Sequence, residues 1–157
     1  MNQKAEHPFG SVESILAWFA EAKKQPTGRG MQVQLGVHFE EVSEMLETLT
    51  SESPSMRHYI SRASTALEEL ADAMKAEGSC PVEVIAGHDE DLLDALCDQI
   101  VTAVGSAFEV QSDIVQGLAE VDRSNWSKFV KGQAIFYDNG KIAKGPDYFK
   151  ADLSKFV

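Results

Sequence analysis

The sequence has no apolar run of the roughly 18–20 residues that a membrane-spanning helix needs. Its first ten residues, MNQKAEHPFG, also lack the apolar centre of a secretory signal peptide. Cysteine is scarce as well, because Cys80 and Cys97 are the only two in the chain. Two cysteines are too few for a disulfide framework or a zinc site, so reduced thiols are expected. Together these absences predict a protein that stays in the cytoplasm.

Basic residues are outnumbered, with 14 lysines and arginines against 25 aspartates and glutamates, for a formal net charge of −11. This balance argues against unaided binding to nucleic acid or to an anionic membrane. Residues 1–122 carry a net charge of −15 and residues 123–157 a net charge of +4. An acidic body with a basic tail suits a divalent cation on the body and phosphates on the tail. The alternative, which composition alone favours, is a solvated acidic surface against which the tail packs.

Apolar residues recur at steps of three and four along most of the chain, which is typical of amphipathic helices. The pattern predicts five helices: 12–24 capped by Ser11, about 31–50, 56–78 closed by Gly78, about 90–111, and 114–129 capped by Asp113. An Asn139-Gly140 pair between short apolar runs predicts a hairpin in the tail. We therefore predict an all-α fold, a bundle of four to five helices with a short C-terminal hairpin-like tail. The 157 residues fit a single domain, with a core of about 11–130 and a tail of 131–157.

Acidic side chains gather on two of the predicted helices. The stretch HFEEVSEML, residues 38–46, carries three glutamates beside an apolar stripe, with no lysine nearby in the sequence. Glu41 and Glu44 share one helix face, and Asp94 and Asp98 share a face of the fourth predicted helix, which Asp91 extends. If the two helices pack together, these carboxylates can converge on Mg²⁺ or Mn²⁺, which prefer oxygen ligands. The alternative is two solvated acidic faces.

HFEEVSEML resembles the EExxE helix of the all-α nucleoside triphosphate pyrophosphohydrolases. This superfamily includes MazG-like proteins, dimeric dUTPases and phosphoribosyl-ATP pyrophosphohydrolases. LLDALCDQIVTAVGSAFEVQSD is similar to the second acidic helix of that family, with Asp98, Gly105 and Asp113 in its layout. EVDRSNWSK and the later DNGKIAKGPDYFKADL resemble the C-terminal part of MazG-like proteins. The resemblance covers about 31–50 and 90–153.

The resemblance implies hydrolysis of a (deoxy)nucleoside triphosphate between the α- and β-phosphates, which yields a monophosphate and pyrophosphate. By the same resemblance, Glu40 positions or deprotonates the attacking water. The residues implied to bind Mg²⁺ are Glu41, Glu44, Asp94 and Asp98, and those implied to contact the substrate are Arg123, Asn125, Lys128, Lys141, Lys144 and His38. For His38, a structural role is the alternative. The sequence departs from the family at Ala95, where a glutamate is expected, and Asp94 is the natural substitute.

The resemblance also implies a homodimer or homotetramer. Two other functions stay open at this stage. One is a non-catalytic helical interaction module, favoured by Ala95. The other is a phosphoribosyl-ATP pyrophosphohydrolase on the same scaffold. The sequence does not select the base or sugar of the nucleotide.

Overall fold

A computed structural model describes residues 7–23, 25–136 and 142–157. Its described part contains five helices and no extended strand, which confirms the all-α class. The helices are α1 (Val12–Lys23), α2 (Gly28–Glu47), α3 (Pro54–Lys75), α4 (Asp89–Glu109) and α5 (Ile114–Trp126). None of the helices in these ranges is long and apolar enough to cross a membrane.

Side-chain caps set the helix boundaries. Ser11 and Asp113 act as predicted, since the Ser11 hydroxyl accepts from the Ser14 amide at 3.1 Å and Asp113 accepts from the Gln116 amide at 3.1 Å. By contrast, α2 begins three residues before the predicted start, because Thr27 caps it by accepting from the Gly30 amide, and it ends three residues before the predicted end. The α3 helix ends at Lys75, before the Gly78 that was expected to close it.

The chain forms two compact units, one of residues 26–89 and one of the described residues of 1–25 and 90–157. In the 26–89 unit, α2 and α3 pack against each other as a helical hairpin. Small residues line their contact: a Cβ added at Gly36 would lie 3.1 Å from the Ala71 carbonyl oxygen. The buried Ser43 hydroxyl lies 3.0 Å from the Ser64 hydroxyl. The two helix backbones therefore approach closely along this seam.

An arginine joins the two ends of the same hairpin. Arg29, at the start of α2, donates to the carbonyl oxygens of Met74, Lys75 and Ala76 at 2.7, 2.7 and 2.9 Å. Carbonyl oxygens at a helix C-terminus have no partner within the helix, and a guanidinium satisfies them with charge-assisted hydrogen bonds. Arg29 therefore stabilises the end of α3 and fixes it against α2.

The other unit holds α1, α4 and α5, with α1 packed against α5. Asp122 is buried in α5 and accepts from the Ser14 hydroxyl at 2.6 Å and from the Gly10 amide at 3.0 Å. The Trp18 indole donates to the Asn125 carbonyl at 3.0 Å. These bonds satisfy buried polar groups and hold Gly10 and α1 against α5.

The C-terminal segment follows α5. Ser124 donates to the Phe149 carbonyl at 2.8 Å, and the Asp113 amide donates to the Phe156 carbonyl at 2.8 Å. Before it, Phe136 and Ile142 form an isolated antiparallel bridge. A bridge of this kind is what the predicted hairpin requires. The turn itself, with Asn139 and Gly140, lies outside the described residues.

Candidate functional site

The first predicted acidic pair lies on the exposed side of α2. Glu41 and Glu44 are both exposed, within the 26–89 unit. His38 is half-buried one turn earlier, and its ring centroid lies 6.2 Å from that of Phe39. This helix face can therefore present two carboxylates to a solvated cation.

Glu40 has a partner that the sequence did not indicate. Its Oε1 lies 2.8 Å from the Nζ of Lys75, which also contacts Asp72 Oδ1 at 3.2 Å. The hydrogen bond that Lys75 donates to Glu40 raises the pKa of Lys75 above 10.5, with a smaller contribution from Asp72, although partial burial opposes the shift. The proposed catalytic carboxylate is thus held in an ion pair by the opposite helix of the hairpin.

The second acidic pair, Asp94 and Asp98, lies on α4 in the other unit, and both residues are exposed. The Asp98 backbone carbonyl accepts from the Thr102 hydroxyl at 2.8 Å. Asp91, one turn before Asp94, is exposed too. Each pair is described within its own unit, so convergence of the four carboxylates stays a prediction. Among the described residues, no three His, Cys, Asp or Glu side chains form a group that could hold a metal ion.

Three of the predicted substrate-binding residues lie near the end of α5, and two of them contact each other. Lys128 donates to the Asn125 side-chain oxygen at 2.7 Å, and its Nζ lies 5.9 Å from the Trp18 ring centroid. Trp18 stacks on Phe129 with ring centroids 5.6 Å apart. The Lys128 ammonium and the Asn125 side-chain amide therefore lie side by side next to the Trp18 ring, an arrangement suited to holding an anion by charge and amide donation.

Arg123, also near the end of α5, is held by two neighbours. It forms an ion pair with Glu120, and its guanidinium carbon lies 5.1 Å from the Phe149 ring centroid. The bond from Arg123 lowers the pKa of Glu120, and a further bond from the Asp152 amide adds to this shift. Arg123 therefore anchors the C-terminal segment in this structure, whatever else it contacts.

The two remaining predicted lysines lie in the tail. The Lys144 ammonium lies 4.7 Å from the Tyr148 ring centroid. Lys141 lies outside the described residues. Neither observation tests contact with a phosphate.

The structure also reveals polar residues that the sequence did not single out. Lys75 lies three residues after Asp72, a helical spacing that the sequence does show, but its pairing with Glu40 depends on the α2–α3 packing. Nothing in the sequence distinguishes Asp122 from the many aspartates and glutamates expected at the surface, yet this residue is only 2% exposed. The signal for its burial was its place between Val121 and Trp126 on an amphipathic helix.

No family model matches this chain, and no curated protein or solved structure matches it. The MazG-like resemblance therefore depends on the residues quoted for it.

Proposed function

We propose that this chain is a Mg²⁺-dependent nucleotide pyrophosphohydrolase of the MazG-like type, acting on a (deoxy)nucleoside triphosphate in the cytoplasm. The observation that carries the proposal is the exposed acidic pair Glu41 and Glu44 beside a fixed Glu40. It supplies two hard oxygen ligands next to a third carboxylate of stable orientation. Mg²⁺ prefers oxygen ligands of this kind, and a bound Mg²⁺ would assist attack on phosphorus.

In the proposed reaction, Glu41, Glu44, Asp94 and Asp98 would hold the cation, as the resemblance implies. A bound Mg²⁺ would neutralise phosphate charge and acidify a water. Glu40 would orient the attacking water or accept its proton, and the Lys75 ammonium holds the Glu40 carboxylate in an ion pair. Asn125 and Lys128 bind a phosphate oxygen. The proposal includes a homodimer or homotetramer, as the resemblance implies.

Pyrophosphate release from a panel of nucleoside triphosphates, with and without Mg²⁺, tests this function directly. We expect release that requires Mg²⁺ and falls at least 100-fold in Glu41→Gln. The matched control is Glu69→Gln, an exposed carboxylate on α3 outside the proposed ligand set, which should keep wild-type activity. If both variants retain full activity, the ligand assignment is wrong.

The second candidate is a helical interaction module without catalysis, which Ala95 in the expected ligand position favours. Its signature would be no pyrophosphate release from any nucleotide, including phosphoribosyl-ATP, in the presence of Mg²⁺ or Mn²⁺. Selective release from phosphoribosyl-ATP would instead assign the chain to that reaction. A single panel therefore separates the three functions.

A further inference from the structure

One aromatic side chain of α1 contacts both of the proposed phosphate-binding residues at the end of α5. The Trp18 indole N–H donates to the Asn125 carbonyl oxygen at 3.0 Å. The Lys128 ammonium lies over the same indole, 5.9 Å from its ring centroid. All three residues belong to the same compact unit. Trp18 lies outside the stretches that the MazG-like resemblance covers, so the resemblance assigns it no role.

The Asn125 carbonyl oxygen is the centre of the turn that follows α5. It accepts from the Ser127 amide and from the Lys128 amide, the latter at 3.2 Å, as well as from the indole. In addition, the Lys128 ammonium donates to Asn125 Oδ1 at 2.7 Å. A backbone bond and a side-chain bond thus join Asn125 to Lys128, and the indole contacts each of them. A change at Trp18 would therefore alter the direction of both side chains.

Trp18 itself is held by other aromatic rings. It stacks on Phe129, with ring centroids 5.6 Å apart and ring planes 9° from parallel, and Phe129 is buried. Phe19 meets the same indole edge to face, with centroids 5.1 Å apart. Aromatic pairs at these distances are favourable beyond the area that they bury. The indole is therefore a rigid support for a lysine whose side chain is long and flexible.

A support of this kind lowers the entropic cost of ligand binding. A lysine side chain loses rotamer freedom when it is fixed against a ligand. When a neighbouring group already restricts it, less freedom is lost on binding, and the affinity rises. An indole face attracts an ammonium that lies within about 6 Å of its centroid and so favours one conformation. Trp18 should therefore strengthen the contact between Lys128 and an anion without touching the anion.

We propose that Trp18 is a positioning residue that orients Lys128 and Asn125 toward a phosphate group of the substrate. It acts through the cation–π contact and through the hydrogen bond to the Asn125 carbonyl. The identity of the ligand rests on the proposed function, whereas the orientation of the pair rests on the contacts of Trp18. Because the effect concerns binding, loss of the indole should raise KM and leave kcat almost unchanged.

Binding of inorganic tripolyphosphate to the full chain, measured by isothermal titration calorimetry without divalent cations, tests this role. The absence of metal removes the acidic residues from the measurement. We expect Trp18→Leu to raise the dissociation constant about tenfold, and Trp18→Phe, which keeps a ring but loses the N–H, about threefold. The matched control is Trp126→Phe, which should stay within about twofold of the wild type. Its indole also packs on Phe129 but donates to the Ser14 hydroxyl.

A double-mutant cycle distinguishes positioning from a general loss of structure. In a Lys128→Met background, Trp18→Leu should weaken tripolyphosphate binding by less than about threefold, because the lysine that the indole orients is gone. An undiminished tenfold effect in that background would overturn the proposal. So would wild-type affinity in both Trp18 variants, or a wild type that fails to bind tripolyphosphate at about 1 mM.

The kinetic outcomes separate this inference from the proposed function. If the chain releases pyrophosphate and Trp18→Leu keeps the KM of the wild type, the positioning role is wrong and the function stands. If no nucleotide is hydrolysed but tripolyphosphate binding depends on Trp18 through Lys128, the function is wrong and the positioning role stands.

Discussion

In the contact between α1 and α5, the stability of several buried polar side chains depends on one hydroxyl group. Ser14 is fully buried, and it is both a donor to Asp122 and an acceptor for the Trp126 indole at 3.3 Å. A buried carboxylate that loses a donor keeps its desolvation cost without compensation. At an exposed site, removal of the same hydrogen bond would lower the free energy of unfolding only slightly.

Ser14→Ala should therefore lower the free energy of unfolding by about 1–3 kcal/mol. Urea denaturation measures this change. Ser106→Ala is the matched control, because its hydroxyl is exposed and donates within α4 to the Thr102 carbonyl at 3.0 Å. A Ser14→Ala variant as stable as this control would show that Asp122 is satisfied by its other contacts.

The Lys75–Glu40 ion pair predicts a pH dependence in alkaline solution. Because the folded chain raises the pKa of Lys75 above 10.5, the folded state holds this proton more tightly than the unfolded state does. The stabilisation is complete below 10.5 and is lost as the pH rises through the higher folded value. The pair is partly exposed, so its contribution at neutral pH should be small, about 0.5 kcal/mol.

A double-mutant cycle with Lys75→Met and Glu40→Gln, followed by urea denaturation from pH 7 to pH 11, measures this coupling. We expect the coupling energy to be constant from pH 7 to about 10 and to fall toward zero above that. A coupling that is unchanged at the alkaline end would contradict the assigned proton linkage.

At the scale of elements, the small-residue seam between α2 and α3 sets their separation. A Cβ at Gly36 would lie 3.1 Å from both the Ala71 carbonyl oxygen and Met74 Cβ. Backbone atoms cannot yield as a flexible side chain can, so an added methyl group must push the helices apart.

Gly36→Ala should destabilise the chain by about 1–3 kcal/mol despite the better helix propensity of alanine. Gly117→Ala should stabilise the chain by about 0.5–1 kcal/mol, because alanine has the better helix propensity. The added methyl group has room there, since its nearest neighbour outside the helix is a Leu153 methyl at 4.0 Å. Thermal denaturation of the two variants beside the wild type compares the signs. Destabilisation of equal size in both would show that the seam is not the cause.

Local patterns predicted the elements well, and they failed where partners come from elsewhere in the chain. Asp113 and Ser11 cap helices as expected, since capping depends on residues within one turn. The Arg29 contacts with the end of α3 span 45 to 47 residues, and no local pattern encodes them. The Lys75 partner of Glu40 was missed for the same reason.

The candidate site was predictable only as a set of residue types. Helical spacing placed Glu41 beside Glu44 and Asp94 beside Asp98, and the structure keeps all four exposed. The sequence shows the three-residue spacing that pairs Glu120 with Arg123 on α5. It could not show that Arg123 lies over Phe149, because the C-terminal segment reaches α5 through tertiary packing.

The whole molecule carries a net charge of −11. Cations can stabilise it either by general screening of this charge or by binding at a specific site. Like charges repel in the folded state, so monovalent salt should raise the melting temperature gradually. A bound Mg²⁺ adds to this, by about 2.7 kcal/mol when its concentration is 100 times its dissociation constant. At equal ionic strength, a sodium salt gives only the screening effect, whereas a magnesium salt gives screening together with specific binding.

We therefore expect MgCl₂ to raise the melting temperature more than NaCl of the same ionic strength in the wild type. In a variant carrying Glu41→Gln and Asp98→Asn, the two salts should give equal increases. Differential scanning fluorimetry suffices for the comparison. Equal increases in the wild type would show that Mg²⁺ acts by screening alone.

The separation of Ser14 and Asp122 by 108 residues has a consequence for the order of events on the ribosome. At about 5–20 residues per second, α1 leaves the exit tunnel roughly 5–20 s before the helix that covers it. The α2–α3 hairpin is contiguous in sequence and can close during that interval. The side of α1 that contacts α5 in the folded chain is then exposed to solvent for that interval.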